Sequence, residues 1–112
     1  MFLATVRMVM PPEKFAEAVR ILGRTAEQAR VEAGCERCHV YRDAQEANAI
    51  LLEQAWKNEE ELDRHLRSDG FRDVLVVMEM ALEPPEIQFS ALARVEGIER
   101  AKAARSQISL FS

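Results

Sequence analysis

Two short groups of residues in this chain have types and spacing that could do chemistry. The first is Cys35-Glu36-Arg37-Cys38-His39, which matches the Cys-x-x-Cys-His pattern of covalent haem attachment and holds the spacing of a redox dithiol. The run falls in a predicted strand, where residues three apart point to opposite faces, so the two thiols are not expected to meet one ligand. A redox dithiol also usually sits at a helix N-terminus that lowers its thiol pKa. Two small, half-buried strand residues beside an incidental histidine are the simpler reading, with haem, metal or redox roles as the sharper ones. The second group is Trp56 and His65, nine positions apart. Trp56 and Gln54 share a strand face with Ile50 and Leu52. If that face meets the helices, His65 sits over an apolar, aromatic-lined cleft where an imidazole can take or give a proton. A histidine hydrogen-bonded at a helix–sheet boundary beside a core tryptophan fits the same spacing.

Other chemistry has little support. The glycines are single and far apart, so no Gly-rich phosphate loop is present, and no ligand cluster has metal-site spacing. Glu59, Glu60 and Glu61 read as a solvated helix start. Arg7 interrupts an apolar strand and either faces solvent or lines a pocket.

These residues need a scaffold, and the hydrophobic pattern supplies one. Residues 2–10 read as a strand closed by Pro11 and Pro12, neither of which can donate a ladder hydrogen bond. Phe15, Ala18, Val19, Leu22, Ala26 and Ala29 form the apolar stripe of a helix expected to end at Gly34. Strands over 35–43 and 49–56 form a hairpin across the polar turn 43–48. Asn58 can cap a helix whose buried side carries Leu62 and Leu66. Ser68, Asp69 and Gly70 interrupt that helix, and a second helical piece runs from Phe71 to Leu82. Pro84 and Pro85 precede a last strand, Ile87 to Val95, with Ile87, Phe89, Ala91, Ala93 and Val95 alternating. The order β-α-β-β-α-β predicts an α+β, ferredoxin-like domain over residues 1–96, with a four-stranded antiparallel sheet and both helices on one face. Residues 97–112 form a partly helical tail. The sheet's other face is expected to be apolar and buried against a second copy, giving a homodimer.

Composition narrows the function classes. The chain has 112 residues, 48% of them hydrophobic and 30% charged, which suits one folded domain and excludes disorder. Fifteen basic against nineteen acidic residues give a net charge of −4, a poor match for nucleic-acid backbones. No apolar run reaches the ~20 residues of a membrane span, and the first residues do not read as a signal peptide. A cytoplasmic protein without membrane or nucleic-acid partners is the expectation.

The stretches Gly34-Cys35 to Tyr41-Arg42-Asp43, Leu51-Leu52-Glu53-Gln54-Ala55-Trp56-Lys57-Asn58-Glu59, Leu62-Asp63-Arg64-His65-Leu66 and Ser68 to Phe71 resemble the antibiotic biosynthesis monooxygenase family, in particular its small stand-alone quinol monooxygenases. The resemblance runs from residue 2 to about 95. It implies a ferredoxin-like fold paired into a dimeric α/β barrel, and oxygenation of a phenolic or hydroquinone substrate by O2 as co-substrate, with no metal, flavin or haem cofactor. By resemblance His65 becomes the catalytic base or anion stabiliser. Trp56 becomes a pocket wall or hydrogen-bond donor, and Phe71 and Leu75 become apolar lining; Gln54, on the strand face of Trp56, and Arg7, if it lines the pocket, are the further candidate substrate-binding residues. Many relatives carry a carboxylate where this chain has Gln54, and some carry a histidine where it has Gly70. Haem-degrading relatives use a first-strand asparagine and a histidine at the Leu75 position, and this chain has neither. A related isomerase of a phosphorylated signalling sugar would want cleft arginines, for which Arg7, Arg64 and Arg72 are candidates. A dimeric small-molecule-binding module without chemistry is the non-enzyme alternative.

Overall fold

The computed structural model describes residues 1–107. Strand β1 (Phe2–Val9) is the hub of the sheet. Its residues Ala4, Val6 and Met8 are buried while the intervening ones are half-buried, the period-two signature of a strand with one covered face. β1 pairs antiparallel with β3 (Ala49–Trp56) on one side and with β4 (Glu86–Ala91) on the other. β2 (Cys35–Arg42) pairs antiparallel with β3, giving the order β2-β3-β1-β4. Helix α1 (Pro12–Arg30) buries Ala18, Leu22, Thr25, Ala26 and Ala29, and these join the inward residues of β1 and β3 in one core. The second crossover is made of two helices, α2 (Glu59–Leu66) and α3 (Asp69–Glu79). The fold is therefore ferredoxin-like α+β, as the sequence pattern implies.

Several boundaries differ from the expectation for physical reasons. α1 stops at Arg30, capped by Val31, because a four-residue turn is needed to reach β2. Gly34 ends that turn with φ +81°, and a Cβ there would lie 2.3 Å from Cγ of Glu61. The expected interruption is present but falls at Arg67 and Ser68, between α2 and α3. Ser68 caps α3, its Oγ accepting from the Phe71 N–H at 3.2 Å, and Asp69 and Gly70 form the first turn. β4 ends at Ala91, opposite Phe2, because β1 offers no further partner. A helix α4 (Ile98–Arg105) with no buried residue follows, which accounts for a radius of gyration of 16.9 Å against about 13 Å for a compact domain of this length. The rest of the expected tail, 108–112, lies outside the described residues.

The uncovered face of the sheet also differs. The register places Ile87, Phe89 and Ala91 beside Val6, Ala4 and Phe2, on the helix side. The opposite face carries Thr5 and Arg7 on β1 and the Arg37–Glu53 pair across β2 and β3, so it is mixed rather than apolar.

Two glycine substitutions should therefore diverge. Gly34→Ala should lower stability by about 2 kcal/mol or more, since both its backbone conformation and Glu61 oppose a side chain. Gly23→Ala, in the interior of α1 with nothing near its Cβ position, should raise it by about 0.5–1 kcal/mol. Urea unfolding with unchanged m-values checks both.

Candidate functional site

The site starts at the C-terminal end of β3, where alternation turns Gln54 and Trp56 toward the helices. Trp56 is fully buried, and its indole Nε1–H donates to Oε1 of Gln54 at 3.1 Å. α2 starts just beyond, with the Asn58 side chain accepting from the Glu61 N–H at 2.9 Å. Seven residues after that cap, His65 lands over the tryptophan. The two rings stack at 4.6 Å between centroids and 28° between planes. Ser68 then does two jobs at the α2–α3 corner. Its hydroxyl donates to the His65 carbonyl at 2.6 Å while accepting from the Phe71 N–H. This corner brings the Phe71 ring edge-on to His65 at 5.8 Å and 74°.

The histidine is only 1% exposed, yet it reaches a carboxylate. Its Nδ1 lies 2.7 Å from Oε2 of Glu32, in the α1–β2 turn. An ionised carboxylate only accepts, so Nδ1 donates to it, and in the neutral ring Nε2 then presents a lone pair. That Nε2 is buried without a protein partner, and Nε2 of Gln54 is buried with only the neighbouring Cys38 sulfur to turn to. A buried polar atom left unpaired costs about 1–3 kcal/mol, so each is rare in native proteins and has a reason, a catalytic or ligand-binding role being one and a bound water another.

The structure thus brings together Gln54, Trp56, His65 and Phe71 in one buried cluster. Two other proposed binding residues lie elsewhere. Leu75 is 45% exposed on α3. Arg7 belongs to the half-buried side of β1, opposite the helices, and is ion-paired to Asp43 at 3.4 Å and Glu46 at 2.5 Å. The hydrogen bond to Glu46 raises the Arg7 pKa, and backbone N–H donors from Gln45 and Glu46 lower that of Asp43. A concavity of about 150 Å³ beside Arg7 and Tyr41 and a groove of about 550 Å³ along the tail helix between Glu96 and Gln107 are both remote from the histidine. Glu32 was missed by sequence reasoning. It lies 33 positions from His65, and its only sequence signal is an acid one step before the Ala33-Gly34 turn.

The cysteine motif is arranged differently from a regular strand. A bulge between Cys35 and Arg37 shifts the ladder, so that Cys35 sits opposite Trp56 and Cys38 opposite Gln54. Both thiols therefore pack toward the core on the helix side, while His39 stands opposite Glu53, exposed. Burial pushes the Cys38 thiol up to about 12, with the neighbouring Gln54 amide acting weakly the other way. Burial and the nearby Glu32 raise Cys35 as well. Both cysteines are free, and among the described residues no group of three or more His, Cys, Asp or Glu side chains is placed to hold a metal ion.

The antibiotic biosynthesis monooxygenase model matches residues 1–76, so the chain belongs to that family. Solved structures share the fold. A candidate family member from Deinococcus radiodurans is 19% identical with TM-score 0.79, covering 88% of this chain and 98% of its own. One from Nitrosomonas europaea is 16% identical with TM-score 0.75, covering 84% and 100%. A conserved protein of Methanosarcina mazei Go1 is 26% identical with TM-score 0.73, covering 80% and 89%. No curated protein matches the chain at a significant level.

The Cys38 pKa predicts an alkaline effect on stability. The unfolded thiol ionises near 9 and the folded one near 12, so between those values the unfolded state holds fewer protons and stability falls as pH rises. The urea midpoint should drop across that window, and more steeply in the native chain than in Cys38→Ala.

Proposed function

We propose that this protein is a monooxygenase that oxidises a phenolic or hydroquinone small molecule with O2, the substrate itself supplying the electrons in place of a metal, flavin or haem. The observation that carries this reading is the His65 ring. It is buried, fixed by Glu32 at 2.7 Å, stacked on Trp56, and left with a free Nε2.

The chemistry follows from those groups. Nε2 of His65 takes the proton of a substrate hydroxyl, and the resulting anion is electron-rich enough to react with O2. The Gln54 Nε2, held only by the weak acceptor Cys38, can turn to donate to the developing oxyanion. Trp56 and Phe71 provide flat apolar walls that suit an aromatic ring and exclude water. One oxygen atom enters the ring and the other leaves as water. The four electrons come from the substrate, as a hydroquinone becomes a hydroxyquinone.

The sugar-phosphate alternative needs basic groups in this cluster. Arg7 is on the other sheet face, and Arg64 and Arg72 are 63% and 76% exposed, paired with Glu61 and Asp69. A neutral aromatic substrate fits the cluster better.

The proposal includes a homodimer and a cytoplasmic setting. Leu75, Val76, Leu82, Ile87 and Phe89 are each 41–63% exposed on α3, β4 and the segment between them, large apolar side chains that a partner can cover. A second copy covering this flank would also bring Leu75 under cover. Light scattering should give twice the mass of the chain, and Phe89→Glu should shift it toward a monomer. A monomer in the native chain at micromolar concentration contradicts the pairing.

O2 uptake by metal-stripped protein over a panel of naphthalene and anthracene hydroquinones tests the activity. With autoxidation subtracted, uptake should saturate with substrate and fall by ~10²-fold or more in His65→Ala. Saturable binding without uptake would favour the non-catalytic binding module.

A further inference from the structure

We infer that Glu32 is the positioning residue of this site: it fixes the His65 tautomer and is the solvent-side end of the path by which the substrate proton leaves the core. The inference rests on His65 acting as the base.

Three observations carry it. His65 is 1% exposed, whereas the Glu32 side chain is 33% exposed, so the dyad has one dry end and one wet end. The ring presents its two nitrogens differently, Nδ1 to the carboxylate and Nε2 to no protein group. The turn holding Glu32 is itself clamped: the Lys57 N–H donates to the Gly34 carbonyl at 2.8 Å, and the Cys35 N–H to the Glu32 carbonyl at 3.2 Å. Those bonds tie the carboxylate to the end of β3, next to Trp56.

A proton taken at Nε2 makes an imidazolium beside a carboxylate, an ion pair formed inside the protein. The Nδ1 proton then passes to Oε2 of Glu32 and on to water. When the product oxygen reclaims a proton from Nε2, Glu32 returns one from water to Nδ1. The core carries the substrate's negative charge while the proton is out and regains its starting charge on reprotonation, and no oxidant takes part in this exchange. The surrounding titratable groups leave the path to Glu32. Cys35 and Cys38 on β2 are held as neutral thiols by burial. Arg30 on α1 is engaged with the Cys38 carbonyl at 2.7 Å, and Glu61 on α2 with Arg64 at 2.9 Å.

Nitrogen NMR of the histidine rings in the full chain, compared with Glu32→Gln and Glu32→Asp, tests this without any ligand. The neutral His65 ring should carry its proton on Nδ1 in the native chain. Losing a charge-assisted hydrogen bond should lower the Nδ1–H to Nε2–H ratio by about tenfold or more in Glu32→Gln, and Glu32→Asp should restore part of it if its carboxylate still reaches. The Nδ1 proton should also exchange with solvent more slowly in Glu32→Gln. A native ring protonated on Nε2, or an unchanged tautomer in both variants, overturns the assignment. Should Glu32→Gln not fold, Glu32→Ala, which removes the carboxylate outright, should give the same shift in tautomer. If the tautomer result holds while no hydroquinone drives O2 uptake, the substrate reading and the proton path fail, and only the tautomer assignment of Glu32 stands. In the active protein Glu32→Gln should lower kcat more than it raises KM.

Discussion

The stacked pair of Trp56 and His65 is the constraint on which the rest of the site depends. A tryptophan with no exposed surface contributes several kcal/mol of burial and packing, and its truncation typically costs about 3–5 kcal/mol. That packing offsets the presence of one unpaired and one weakly held polar nitrogen in the same neighbourhood. Every local feature serves the stack. The β3 alternation turns Trp56 inward, Asn58 starts α2 at the right residue, and Ser68 closes α2 on the His65 carbonyl. Gly34 lets the α1–β2 turn approach closely enough for Glu32 to reach the ring.

The same arrangement lets a small domain hold a buried histidine on a short polar line without a deep polar cavity. The polar groups form a line from Gln54 through Trp56 and His65 to Glu32, each satisfied on one side. Apolar walls keep water from the middle of the line, where an electron-rich anion would be wasted by competing protonation. The only wet end is Glu32. On this account the family's fold supplies the platform, and the chemistry is set by which few side chains stand on the inward face of β3 and the first turns beyond it.

Much of this was legible in the sequence. Period-two and period-four hydrophobic patterns report backbone geometry directly, so the strands, the helices and the shared face of Gln54 and Trp56 could be read off. The remainder depended on contacts that no local pattern encodes. Glu32 meets His65 through a turn between distant elements. The bulge at Cys35–Arg37 places two thiols on one face, against the rule for a regular strand. The inward direction of Ile87 and Phe89 follows from the register with β1, which alternation alone leaves open. Arg7 is aimed away from the helices by that same alternation, once Val6 and Met8 are known to be buried.

On the proposed function a flat aromatic ligand sits against Trp56, in the line that ends at Glu32. The chain has a single tryptophan, so its fluorescence reports on this place alone. Titrating the protein with a naphthalene hydroquinone under anaerobic conditions should quench that emission saturably, and Gln54→Leu should weaken the quenching by about tenfold, the loss of one buried hydrogen bond. Emission that does not respond, or a response that is the same in Gln54→Leu and lost in Arg7→Ala, would place the ligand elsewhere and contradict the account.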